Sequence, residues 1–218
     1  LRACVRGEED GRMSEERRQA PDRQEQHRIV LARQGLLAMA TVGVVAPLGG
    51  LKAPLGVVVA PGNHDHWFEP DALRGALERQ GLRVLQNEAV KLGPLIVGGV
   101  DDEHSGHDDV PATLAAMDRL GPGIPLILSH SPDIVPAVKR PVAAILAGHT
   151  HCGQIRFPFI GALTYVSQYG DRFACGDISD GGQRVFVGAG LGTSLLPLRY
   201  LTPPDAWLIT LKPKDSRP

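Results

Sequence analysis

Apolar residues fall along this chain in short separated runs, and the spacing within each run predicts its form. Residues 55–60, Leu-Gly-Val-Val-Val-Ala, are continuously apolar and rich in β-branched side chains, the pattern of a buried strand. Residues 95–100, 124–129, 143–147, 185–187 and 207–211 predict further strands. Over residues 69–80 the period changes. Leu73 and Leu77 share a helical face, Pro70 suits the first turn and Gly81 ends the helix. Apolar strands alternating with helical segments place the chain in the α/β class.

The first 34 residues follow neither period. Fifteen of them are charged, and no lysine occurs before Lys52. Residues 8–28 hold almost no apolar side chain for a core, so the reading is a disordered or solvated segment. Its arginines do not make a nucleic-acid arm, because Glu8, Glu9, Glu15, Glu16 and Glu25 cancel their field. The chain therefore divides into a charged, Arg-rich segment over residues 1–44 and a folded domain over residues 45–218.

A length of 218 residues suits one α/β domain with a sizeable core. The formal net charge of -1 excludes a general attraction to nucleic acid or anionic lipid. An anionic substrate must then be held locally, by a metal or a cluster of donors. The longest uncharged stretch, residues 35–51, is short for a membrane span and is broken by Pro47 and several glycines. The start at Leu1 lacks the basic-then-apolar order of a signal peptide. Cys4, Cys152 and Cys175 are odd in number and without paired spacing. That predicts free thiols in a reducing compartment rather than a disulfide or a CxxC zinc site.

Polar clusters follow directly on three of the strands. Gly62-Asn63-His64-Asp65 follows residues 55–60, Ser129-His130-Ser131-Pro132-Asp133 follows the run at 124, and Gly148-His149-Thr150-His151 follows residues 143–147. Ligands in α/β folds bind outside the carboxyl ends of strands, so three histidine-bearing loops there predict one convergent site. Imidazoles with an amide oxygen suit a borderline divalent ion, whereas Mg or Ca prefers oxygen throughout. The loop at residues 101–109 is acidic with two histidines, and reads as a solvated loop rather than a second metal site. Residues 190–194 are too weak a glycine run to be read as a phosphate cradle.

In this order, Gly62-Asn63-His64-Asp65, the lone His130 after a strand, and Gly148-His149-Thr150-His151 are similar to the last three motifs of the calcineurin-like metallophosphoesterases. The resemblance runs from about Val45 to Leu211. It implies a four-layer α/β/β/α sandwich with two mixed sheets. It also implies Asn63, His130 and His149 as ligands of one ion and His151 as a ligand of a second, the ions being Mn, Fe or Zn. His64 would contact the phosphate and assist the leaving group, with Asp65 orienting its imidazole. The implied activity is hydrolysis of phosphoester or pyrophosphate bonds by a metal-activated water. The substrate would be a phosphorylated small molecule or a lipid-linked phosphate, with the protein cytoplasmic or peripheral to the cytoplasmic membrane. A metallo-β-lactamase-type hydrolase expects His-x-His-x-Asp-His, and His149-Thr150-His151-Cys152-Gly153-Gln154 lacks the Asp-His.

Two departures qualify the resemblance. The family's Asp-x-His and Gly-Asp-x-x-Asp have no counterpart before Asn63: Asp10 is followed by Gly11 and Arg12, and Asp22 and His27 are too far apart. The expectation is that residues 1–44 are not the family's N-terminal part, through truncation or a shifted frame near Val45. The sandwich would then be incomplete at its N-terminal edge and poorly soluble. The alternatives are a catalytically dead remnant that binds one metal or another ligand, and a site completed by another chain. The second departure is Cys152, where this branch usually has glycine; it reads as a small tolerated side chain rather than a soft extra ligand.

Overall fold

A computed structural model describes the backbone of two N-terminal strands, β1 (Arg2–Val5) and β2 (His27–Leu31), and residues 48–212 apart from Phe68 and Leu195. Most of the charged run 8–28 and of the uncharged run 35–51 lies outside the described residues. Among the described residues no helix is long and apolar enough to cross a membrane.

The central element is a six-stranded mixed sheet, ordered β11 (Gly176–Asp180), β12 (Gln183–Val187), β8 (Ala144–Ala147), β7 (Ile124–Leu128), β6 (Leu95–Gly99) and β5 (Glu88–Leu92), while β9 (Arg156–Phe157) and β10 (Gly161–Ala162) pair separately. Its four inner strands, β6, β7, β8 and β12, run parallel. These are the apolar runs that periodicity marks, because parallel strands are covered on both faces. The edge strands β5 and β11 pair antiparallel to them and are not among the predicted strands. Glu88, Lys91, Asp177 and Ser179 account for that: each edge strand exposes a row of polar side chains, which also blunts the edge.

Side chains alternate between two cores. On one face Ile96, Ile127, Ile145 and Val185 meet Val110 and Met117 of a helix, together with Ile134 and Phe173. That helix, Val110–Arg119, starts on Asp109, whose carboxylate accepts the Ala112 N–H at 2.8 Å. It comes close to the sheet because Gly98 has no side chain: a β-carbon there would lie 2.5 Å from the Met117 sulfur. On the other face Leu95, Val97, Leu126, Leu146 and Phe186 meet Ile209 and Leu211 of β13 (Trp207–Lys212). β13 is the middle of an antiparallel three-stranded sheet, ordered β1-β13-β2. The result is the mixed α/β sandwich of two facing sheets with a helix outside.

A third, smaller cluster joins β3 (Val58–Val59), its parallel partner β4 (Arg83–Val84) and the helix Pro70–Arg79, through Leu77, Leu82 and Val84. The run at 55–60 thus yields only a two-residue strand. Gly56 adopts a φ of 97° and its N–H closes a turn onto Ala53 at 2.9 Å, so the chain is still turning where the apolar pattern predicts extension.

Candidate metal centre

The parallel strands β6, β7, β8 and β12 end on the same edge of the sheet, and the loops that leave them carry the titratable groups. β7 delivers His130 and β8 delivers His149, both buried. His130 Nε2 and His149 Nδ1 lie 2.8 Å apart. One of these nitrogens donates and the other accepts, so the two imidazoles meet edge to edge at the strand ends. From the β3 side comes a one-turn helix, α1 (Asn63–His66). Gly62, its N-cap, lies against the His130 ring so closely that a β-carbon there would fall 2.0 Å from Nδ1. Asp65 closes the start of the helix by accepting the Gly62 N–H on Oδ2 at 2.8 Å. Asn63 is thereby held at the site with 4% of its surface exposed, and its Oδ1 is buried without a hydrogen-bond partner.

The other predicted residues sit at the margin. The His64 ring packs on Trp67, with centroids 4.4 Å apart. His151 Nδ1 lies 3.3 Å from Arg199 Nη2, and a guanidinium only donates, so Nδ1 is the accepting nitrogen. Arg199 also donates to the carbonyls of Ala189, Gly190 and Gly192. Burial pushes its guanidinium below the ordinary arginine value, while Asp205 pulls it back up. His149, His151, Cys152 and Gln154 all have positive φ, which marks this loop as strained.

Comparison with known proteins bears on the identity of this arrangement. No family model matches the chain, and no solved structure matches it. An uncharacterized metallophosphoesterase of Bacillus subtilis, YkuE, is 33% identical over 177 residues, covering 78% of this chain and 60% of that protein. An uncharacterized metallophosphoesterase of Aquifex aeolicus is 30% identical, covering 78% of this chain and 66% of that protein. The chain belongs to the calcineurin-like metallophosphoesterases. A zebrafish (Danio rerio) transmembrane protein with a metallophosphoesterase domain is also similar, at 31% identity over 76% of this chain and 41% of that protein. The chain thus spans between two fifths and two thirds of the length of these curated relatives.

Membership of the metallophosphoesterases implies divalent metal ions, and the donors can be tested against that. A buried amide oxygen in want of a partner on α1, and two imidazoles whose nitrogens approach to 2.8 Å, are donors that suit a borderline divalent ion. The fit is partial: among the described residues no three His, Cys, Asp or Glu side chains are arranged to hold a metal ion. The guanidinium against His151 places positive charge where the second ion of the family pattern would have its ligand.

Other groups of this metallophosphoesterase site were not singled out from sequence. Asp102 is completely buried, with Oδ1 3.9 Å from His130 Nε2 and Oδ2 accepting from Ser105 N at 2.7 Å. Asp101 is buried beside it and takes His66 Nε2 at 2.7 Å. The loop 101–109 is therefore not solvated at its start. The strand-end rule that flags the histidines applies equally to Asp101 and Asp102, which follow β6 after Val100. Glu103, next in line, accepts from Ser131 Oγ at 3.0 Å and Gln168 Nε2 at 2.7 Å. Burial raises its carboxyl above the ordinary value, the Ser131 hydrogen bond opposes this, and Asp133, Asp108 and Asp102 add to the rise.

The expectation of free thiols is corrected. Cys152 and Cys175 form a disulfide across 23 residues, between the loop after β8 and the segment entering β11. Nothing in their spacing announces it, because the fold rather than the local sequence brings the two loops together. Cys152 is thus committed to sulfur and offers no thiolate ligand. The same two loops are joined again by Thr150 Oγ1, which donates to the Ala174 carbonyl at 2.6 Å.

Proposed function

We propose that this metallophosphoesterase hydrolyses phosphoester or pyrophosphate bonds with the help of a divalent ion held by Asn63, His130 and His149. The observation that carries this is the 2.8 Å approach of His130 Nε2 and His149 Nδ1, taken with the buried, partnerless amide oxygen of Asn63 on α1. Asn63, His130 and His149 would hold Mn, Fe or Zn, and such an ion would supply polarisation of the phosphoryl group and acidification of an attacking water. His64 donates a proton to the leaving oxygen. Asp65, by fixing the Gly62 N–H, keeps α1 in the conformation that presents both Asn63 and His64. A second ion on Nδ1 of His151 would require Arg199 to turn away.

The substrate class that best suits the surroundings is a lipid-linked phosphate. Phe159, Ile160, Leu163, Leu196 and Leu198 are exposed on the two segments that run from His151 and from Arg199. The Gln154 amide holds those segments together, donating to the carbonyls of Leu196 and Leu198 at 2.8 and 2.9 Å. A peripheral place at a membrane follows from the same surface. The second reading, a single-metal remnant without activity, is favoured by the lack of a three-residue His, Cys, Asp or Glu set among the described residues.

The test is hydrolysis of p-nitrophenyl phosphate and bis(p-nitrophenyl) phosphate with and without Mn²⁺, alongside metal content. Turnover that needs Mn²⁺ and disappears in His130→Ala supports the enzyme. One bound ion with no turnover of either ester supports the remnant, and no bound ion at all overturns both.

A further inference from the structure

His66 ends α1, and its side chain turns away from Asn63 toward the end of β6. Its Nε2 meets Asp101 Oδ1 at 2.7 Å with both side chains buried, and its ring stacks on His107 with centroids 3.9 Å apart. Asp101 Oδ1 takes a second hydrogen bond, from the Asp102 N–H at 2.8 Å. Asp101 Oδ2 accepts from Gln86 Nε2 at 3.2 Å, and the Asp101 N–H donates to Asn87 Oδ1 at 3.0 Å. One carboxylate oxygen therefore ties the helix that carries Asn63 to the peptide that aims Asp102 at His130.

A single helical turn does not hold itself in water, so its position must come from tertiary contacts. Gly62 locates the helix start against His130, and His66 locates its end against Asp101. Asp102, buried and held on its other oxygen by Ser105, then faces His130 at a distance that Asp101 sets.

We propose that His66 and Asp101 are positioning residues that couple the Asn63 side of the site to the His130–His149 side. The proposal rests on the reading that Asn63, His130 and His149 hold a divalent ion. The pair touches neither ion nor substrate; it sets the separation at which the three donors work. Groups that orient ligands in this way change metal affinity by about 10–100-fold when removed.

The experiment is Mn²⁺ titration calorimetry on the full chain and on His66→Phe, His66→Gln, Asp101→Asn and the double variant His66→Phe/Asp101→Asn, each checked for folding by thermal melting. His66→Phe keeps a ring but loses the donor, and Asp101→Asn turns an amide N–H₂ toward His66, Asp102 or Gln86. Each is expected to weaken Mn²⁺ binding about 10–100-fold. The double variant should be no worse than the weaker single. His66→Gln, which restores an N–H toward Asp101, should recover most of the loss. A pair that only stabilises the fold would lower melting temperature and leave the Mn²⁺ affinity of the folded protein unchanged, and that result overturns the proposal. If His66→Phe does not fold, Asp101→Asn against His66→Gln decides by the same measure.

If the parent chain binds no Mn²⁺, the metal reading falls by itself. The coupling is then decided by amide hydrogen exchange. Selective acceleration at residues 63–67 in Asp101→Asn, with β7 unchanged, upholds it, and equal exchange in both proteins overturns it.

Discussion

At the scale of single residues the site depends on a glycine. Gly62 has an ordinary extended backbone, φ -126° and ψ 178°, so what it supplies is absence of a side chain beneath the His130 ring. Gly62→Ala is expected to cost about 1–3 kcal/mol of stability through overpacking, and to displace His130 from His149. Thermal melting measures the first effect and Mn²⁺ binding the second; a variant that melts and binds like the parent refutes both. Glu103 gives a pH prediction. Its carboxyl is raised by burial, so the folded state favours the protonated form. That stability is complete below the ordinary glutamate range and is lost as pH rises through the raised value. Glu103→Gln removes the loss, so its melting temperature should gain on the parent between pH 4 and pH 7. The meeting of His130 with His149 was readable in the sequence because each follows a strongly apolar strand. Asp101 and Asp102 stood at an equivalent strand end. They were obscured by the charged residues after them, which made the whole loop look solvated.

At the scale of elements, the disulfide and the packed helix carry the clearest expectations. Cys152–Cys175 closes a loop of 23 residues, a cross-link that stabilises by about 3 kcal/mol in the chain-entropy account. Melting with and without a dithiol should show a reductant-dependent drop in the parent and none in Cys152→Ser, which starts lower. Met117 is buried between the helix Val110–Arg119 and Gly98, and Met117→Ala is expected to cost about 2–5 kcal/mol, read from denaturant midpoints. The elements legible from pattern were those buried on both faces, such as β7 and β8, or capped by chemistry, such as the helix Pro70–Arg79. β5 and β11 were missed because half of an edge strand's side chains face water, and β3 was overextended because a turn at Gly56 interrupts an apolar run.

At the scale of the whole molecule, the two facing sheets account for the fold, and the contribution of the proposed metal can be measured apart from them. Chelation with EDTA should leave the cooperative unfolding of the sandwich intact but lower its midpoint. A ligand present at 100 times its Kd adds about 2.7 kcal/mol to the folded state. An unchanged midpoint after metal removal would mean that no ion is held by the folded chain. The α/β class was readable from the alternation of strands and helical segments, while the layered sandwich was expected only from the family resemblance. The facing of β13 onto β7 and β8 was not, since strands distant in sequence declare no partner.

β6, β7 and β8 deliver their titratable groups to one edge of the sheet, and among the described residues the opposite edge carries connecting turns. The turn at residues 121–123, exposed and entered through Gly121 at a φ of 76°, lies there. The two edges therefore differ in how much rewriting they accept. A short Gly/Ser stretch inserted between Gly121 and Pro122 should leave Mn²⁺ binding as it was, whereas the same insertion between Gly148 and His149 should abolish it. A family built on this plan can lengthen, tag or fuse its chain on the far side of the sheet while the working side stays as it is.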